Sequence, residues 1–155
     1  MDHEQITHAI RHCEFFKGLE QTYVDKIADL CRVQSYEVGE HVFQQGRMGQ
    51  NMYVISEGRV ILERKIDLGT RKGNVTIAAL GTGRVLGCWS TLLGEPHMLL
   101  SSAVCQKPST ILAITGSELR RMMLADKELG FKLMENFCFL LRDRIQSAYG
   151  ALEKL

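Results

Sequence analysis

Between Val42 and Val60, glycines at positions 46, 49 and 58 cut the chain into apolar runs, Val42-Phe43 and Met52-Tyr53-Val54-Ile55, that are too short for a stable helix and about right for strands. Glycine reaches the positive φ that tight turns demand, so Gly46, Gly49 and Gly58 are read as corners. Met52 to Ile55 is apolar at successive positions, and a pleated strand points successive side chains to opposite faces. This strand is therefore expected to be buried on both sides.

The same texture continues from about Gln34 to Ile114, with strand-like runs at Val60 to Leu62, Val75 to Leu80, Val85-Leu86, Ala103-Val104 and Ile111 to Ile114. Turn signals separate them at Gly39, Asp67 to Gly73 and Gly81-Thr82-Gly83. No helical segment alternates with the strands, which favours an all-β roll or barrel over βαβ units. Before the β-region, Ile6, Ala9, Ile10 and Cys13, then Tyr23, Ile27, Leu30 and Cys31, recur at helical spacing and predict two short helices.

After Gly116 the period changes again. Ser117 is the expected N-cap of a short helix carrying Leu119, Met122 and Met123, and a long helix is expected from about Lys127 to Leu155. Within it Met134, Cys138, Leu141, Ile145, Ala148, Leu152 and Leu155 alternate four and three residues apart, the spacing of a coiled-coil seam, and Gly150 weakens its distal end. Phe131, Phe137 and Leu140 form a second apolar face, expected to pack on the roll. A roll covers one side of a long helix, so the seam predicts a homodimer. The architecture expected is mainly β with flanking helices: a jelly-roll-like β-roll, or double-stranded β-helix, with N-terminal helices and a long C-terminal dimerisation helix. We divide residues 1–155, read as one domain, into N-terminal helices (1–33), β-roll (34–115) and C-terminal helices (116–155).

With 19 basic and 18 acidic side chains the chain carries no overall field to attract nucleic acid or an acidic membrane. No apolar run approaches the roughly 20 residues of a membrane span, and the polar start Met1-Asp2-His3-Glu4-Gln5 has no signal-like apolar region. The five cysteines, Cys13, Cys31, Cys88, Cys105 and Cys138, form no Cys-x-x-Cys pair, and reduced thiols in a cytoplasmic protein are the expectation. His8 and His12 share a helix face at i, i+4, but no carboxylate pattern accompanies them and a solvated face is expected rather than a metal site. No phosphate loop and no Ser-His-Asp or Cys-His arrangement can be read, so neither a catalytic residue nor a cofactor is assigned and an enzyme is not expected.

The glycine spacing around Met52 to Ile55, with Tyr36-Glu37-Val38-Gly39-Glu40 upstream, resembles the cyclic nucleotide-binding domain family, the effector domain of catabolite-activator-like regulators and of kinase regulatory subunits. Phe15-Phe16-Lys17-Gly18-Leu19 is similar to the linker in which that family pins its helices to the roll, and the family precedent supports a dimer through the long helix. The family's transcription factors continue into a winged helix-turn-helix some tens of residues long. Nothing of that length follows the seam here, so direct DNA binding is not expected.

The resemblance also implies a ligand cassette. The family places Gly-Glu before a short helix and, after a loop, an Arg followed by a small residue and Ala; the helix-start amides and Arg hold the phosphate and Glu the ribose hydroxyl. Here Gly87, Ser90 and Ser102-Ala103 fit, but Cys88 stands at the carboxylate position and no Arg lies between Arg84 and Arg120. His97 or Ser101 takes the Arg position, depending on where the alignment is anchored. Losing a buried charge-assisted contact costs roughly 2–5 kcal/mol, so neither cyclic AMP nor cyclic GMP is expected in the usual pose. The candidate ligand-binding set is Gly87, Cys88, Trp89, Ser90, Thr91, Leu92, His97, Ser101 and Ser102, with an apolar wall from Trp89, Leu92, Met98, Leu99 and Leu100. It suits a more apolar small ligand or a weakly held anion. The reading is a stand-alone regulatory or sensor module acting on a partner protein. The alternatives are a dimeric interaction scaffold with a vestigial pocket and, behind it, a haem sensor using Cys88, His97 or His41.

Overall fold

The computed structural model describes residues 1–153, apart from the side chains of Ala148 and Ala151. Two helices, α1 (His3–Arg11) and α2 (Gln21–Leu30), lead into β1 (Arg32–Tyr36), β2 (His41–Phe43), β3 (Met48–Gly49), β4 (Asn51–Glu57), β5 (Val60–Asp67), β6 (Lys72–Leu80) and β7 (Val85–Leu86). A short helix α3 (Trp89–Leu93) interrupts the strands, which resume as β8 (His97–Met98), β9 (Ser102–Cys105) and β10 (Ser109–Thr115) before α4 (Gly116–Ala125) and α5 (Lys127–Leu152). The strands pair antiparallel in two four-stranded sheets, β1-β10-β4-β7 and β2-β9-β5-β6, with β3-β8 as a small third ladder. Apart from the β5–β6 hairpin, the paired strands are far apart in sequence, which is the roll expected.

β4 runs through the middle of the core. Met52 and Val54 pack toward the helices with Phe15, Phe16, Ile114 and Leu133, whereas Ile55 turns into the roll with Val60, Leu86 and Ile111. Both faces are thus covered, as the unbroken apolar run predicts. Gly58 makes the turn that passes the chain from β4 to β5 in the other sheet at φ 114°, and a Cβ there would lie 2.1 Å from Ser109 Oγ. Gly46 is likewise a corner, at φ 86°. Gly49 is not: it lies in β3 with ordinary backbone, and its lack of a side chain serves close approach instead, since a Cβ would come within 2.8 Å of Leu99 Cδ2.

The helices clamp one side of the roll. Asp2 and Gln5 cap α1 reciprocally, the Gln5 amide donating to Asp2 Oδ1 at 2.8 Å and the Asp2 amide to Gln5 Oε1 at 2.9 Å. Phe15 and Phe16 in the linker are fully buried, and Leu19 packs against the same cluster. The Asn136 side-chain amide on α5 donates to the carbonyls of Phe15 (3.0 Å) and Lys17 (2.9 Å), tying the long helix to the linker. Tyr23 on α2 donates to Asp126 (2.7 Å), whose other oxygen accepts the Leu129 amide (3.2 Å) at the start of α5.

The structure corrects three local expectations. α4 begins at Gly116 with Thr115 as N-cap, so Ser117 lies inside the helix; Gly116 packs so closely on α3 that a Cβ would stand 2.8 Å from Ser90 Oγ. Phe131 does not join the roll-facing side of α5 but is 71% exposed, and Leu129 and Leu133 take that place beside Phe137 and Leu140. The turn expected over Asp67 to Gly73 is shorter at both ends, because β5 and β6 pair up to Asp67 and Lys72 and leave only 68–71 as the tip. Cys13, Cys88 and Cys105 are buried, Cys31 is half-buried and Cys138 exposed; all five are free thiols. No helix among the described residues is long and apolar enough to cross a membrane.

Candidate functional site

A cavity of about 580 Å³ opens where the β5–β6 hairpin, the 84–101 segment and the far end of α5 meet. Its wall is largely aliphatic, with Leu62, Ile77, Leu80, Leu99 and Leu100 from three separate parts of the chain. Of the residues expected from the cassette, Gly87, Trp89, His97 and Ser101 reach this wall. Trp89 is 46% exposed and meets Phe137 edge-on with centroids 5.3 Å apart, so its ring lies between the cavity and α5 rather than in the core. His97 Nδ1 is enclosed without a hydrogen-bond partner among the described residues.

The other expected residues serve the framework. Cys88 points into the cluster beneath the helices, where burial pushes its thiol up to about 12, so at neutral pH it is an uncharged S–H. It is neither a carboxylate substitute nor a group facing the cavity. Ser90 is buried and folds its hydroxyl back to the Gly87 carbonyl at 3.1 Å, and Thr91 is fully buried. Leu92 packs on the helical core, and its carbonyl at the end of α3 accepts from the Arg120 guanidinium, a favourable charge at a helix C-terminus. Ser102 is buried on another side of the strand, where its hydroxyl accepts the Gln45 amide at 2.9 Å. Met98 is 59% exposed and off the wall, and of the residues considered for haem only His97 borders the cavity.

Three charged residues that spacing did not single out complete the site. Arg84, before β7, and Arg144, on α5, line the cavity and are held by one carboxylate, Glu14, from the linker after α1. Glu14 Oε2 lies 3.0 Å from Arg84 Nε, while Oε1 accepts from Arg144 Nη2 at 3.1 Å and from the Val85 amide at 3.0 Å. The Glu14 side chain is only 14% exposed, whereas the two arginines are 43% and 41% exposed and stand at the cavity's mouth. Positions 14, 84 and 144 converge only when the linker, the roll and α5 are assembled. No local motif could have revealed them.

Of the expected seam on α5, Met134, Cys138, Ile145 and Leu152 are exposed and Leu141 is half-buried, all on the side away from the roll. Phe131 and Tyr149 extend that stripe, at 71% and 64% exposed. The Ala148 side chain and Leu155 lie outside the described residues.

Residues 33–126 match the family model of the cyclic nucleotide-binding domain, and the chain belongs to this family. Among curated relatives, a cyclic AMP receptor protein from Thermus thermophilus is 31% identical over 144 residues, covering 90% of this chain and 61% of the receptor. The cGMP-dependent protein kinase egl-4 of Caenorhabditis elegans is 24% identical over 126 residues, 81% of this chain and 16% of the kinase. The chain therefore spans less than a fifth of that kinase and about three fifths of the receptor. Among solved structures, a cyclic nucleotide-binding domain from Methylobacillus flagellatus superposes with a TM-score of 0.80 at 20% identity, covering 99% of this chain and 84% of that one. The Thermus thermophilus catabolite activator protein gives 0.69 at 29% identity, with 90% and 62% covered. The mainly β roll with a long C-terminal helix is the fold of this family, and it defines a ligand-binding regulatory module.

Proposed function

We propose that this chain is a regulatory sensor module, not an enzyme, that takes a small ligand other than cyclic AMP or cyclic GMP in their usual pose and transmits occupancy through a homodimer of α5. One observation carries the reading: among the described residues the cavity wall has two arginines but no Asp or Glu. A ribose hydroxyl thus meets no carboxylate there, and the thiol at the position of the family's acid is turned into the core. In sequence, neither arginine is the cassette cation, whose position His97 or Ser101 takes.

The exposed stripe supports the dimer. Phe131, Met134, Ile145, Tyr149 and Leu152 expose between 45% and 71% of their surface on one helix, a continuous apolar face that water disfavours. A second copy with the same face satisfies it. Arg144 and Ser147 put the same helix on the cavity wall, so a ligand and a dimer partner would touch one element from opposite sides. Free cysteines support a reducing, cytoplasmic setting.

Calorimetric titration with cyclic AMP and cyclic GMP tests the assignment. We expect no dissociation constant tighter than about 100 μM, near −5.5 kcal/mol; sub-micromolar binding of either nucleotide overturns it. Native mass spectrometry should show a dimer carrying a small molecule, whereas a repeatedly empty dimer would instead favour a scaffold with a vestigial pocket.

A further inference from the structure

We propose that the ligand is an amphipathic monoanion, a carboxylic acid with a medium-length aliphatic or aromatic body, whose head sits between Arg84 and Arg144. This rests on the reading of the cavity as the ligand pouch. The charge at its mouth is the first ground. Two guanidinium groups face one carboxylate, Glu14, which leaves one positive charge uncompensated, and among the described residues no acidic one lines the cavity. A single anionic head completes the balance; a neutral head leaves it open and a cation worsens it.

Donor geometry is the second ground. Glu14 does not line the cavity; its Oε2 forms an ion pair with Arg84, 3.0 Å from an Nε that makes no hydrogen bond among the described residues, and its Oε1 accepts from Arg144 Nη2. A guanidinium carries five N–H donors, so both terminal nitrogens of Arg84, and Nε and Nη1 of Arg144, remain without a protein partner among the described residues. Glu14 therefore fixes two forks in place and leaves their unused donors for a planar acceptor. Carboxylates match that fork, and prior fixation spares the ligand part of the ordering cost.

The rest of the cavity decides what the head is attached to. Away from the arginines the wall is mainly Leu62, Ile77, Leu80, Leu99 and Leu100, with His97, Ser101 and Ser147 as its few polar side chains, so a sugar or a peptide would recover little of its lost hydration. A hydrocarbon body loses nothing there. One charged end and one aliphatic end select an amphipath.

Trp89 borders the cavity and is the chain's lone tryptophan, so its fluorescence reports occupancy. The full chain is titrated with decanoate, decanol and decylammonium. Decanoate should bind at least tenfold more tightly than decanol, and decylammonium more weakly than either. Arg84→Gln and Arg144→Gln should each abolish the tenfold preference, with circular dichroism and the thermal melt of each variant showing that it folds. Arg144→Lys should keep part of the preference. Equal affinity for decanoate and decanol, tighter binding of decylammonium, or a preference that survives both glutamine variants overturns the proposal but leaves the ligand pouch standing. Silence toward all three probes overturns the proposal and the pouch together.

Discussion

The two faces of α5 carry similar side chains and have opposite fates. Phe137, Leu133 and Leu140 are no more than 7% exposed, packed on the roll and the linker, whereas Phe131 and Ile145 on the other side are 71% and 50% exposed. Hydrophobic periodicity identifies both stripes, although it assigns Phe131 to the wrong one. Which one the protomer consumes depends on where the linker and roll put their own apolar surface, and the remaining stripe stays exposed.

The comparison breaks most sharply at Phe137. Phe137→Ala removes a ring packed in the helical cluster and against Trp89, and should lower unfolding free energy by about 3–5 kcal/mol in urea denaturation. If the loss is under 1 kcal/mol, the inner face is not the cohesive one. Next in size is Asn136→Ala, which strips the carbonyls of Phe15 and Lys17 of their shared donor inside the structure. A loss of about 1–3 kcal/mol is expected, with raised amide exchange in the 13–18 linker. The smallest effect on the protomer belongs to Ile145→Glu. It should change protomer stability by no more than about 0.5 kcal/mol, yet convert dimer to monomer in sedimentation velocity. A variant that stays dimeric would remove the outer face from the proposed interface.

The fold was largely readable because its signals are local. An apolar run such as Met52 to Ile55 between glycines can satisfy its backbone only in a ladder covered on both sides, and the change to helical period after Gly116 marks the end of the roll. The reading weakened where a strand owes its existence to a neighbour. Arg32-Val33-Gln34-Ser35-Tyr36 shows little apolar character, and it is extended as β1 because all five residues pair with β10. The two-residue ladder of β3 and β8 is likewise a consequence of closure, and it turned Gly49 from an expected corner into a close contact with Leu99.

The candidate site was readable only in part. The segment from Gly87 to Ser101 does border a cavity, but four of the nine expected residues face it, because a turn into a short helix points neighbouring side chains in different directions. Cys88 and Ser90 illustrate this, one in the core and the other bonded back to Gly87. The Glu14–Arg144 pair is 130 residues apart in sequence, and as a half-exposed ion pair it contributes about 0–1 kcal/mol to stability. Its interest lies in position rather than in strength.

What the sequence determined by itself was the list of elements and the family, since turn glycines, strand runs and helical periods act over a few residues and need no partner to be recognised. Only the tertiary structure decided which side chains share a volume of space: that an acid near the start, an arginine in the roll and another near the end meet at one opening, and that a cysteine at the family's acid position looks away from it. Side-chain chemistry at a site depends on distances across the fold, and those are set by packing of the whole chain rather than by any stretch of it.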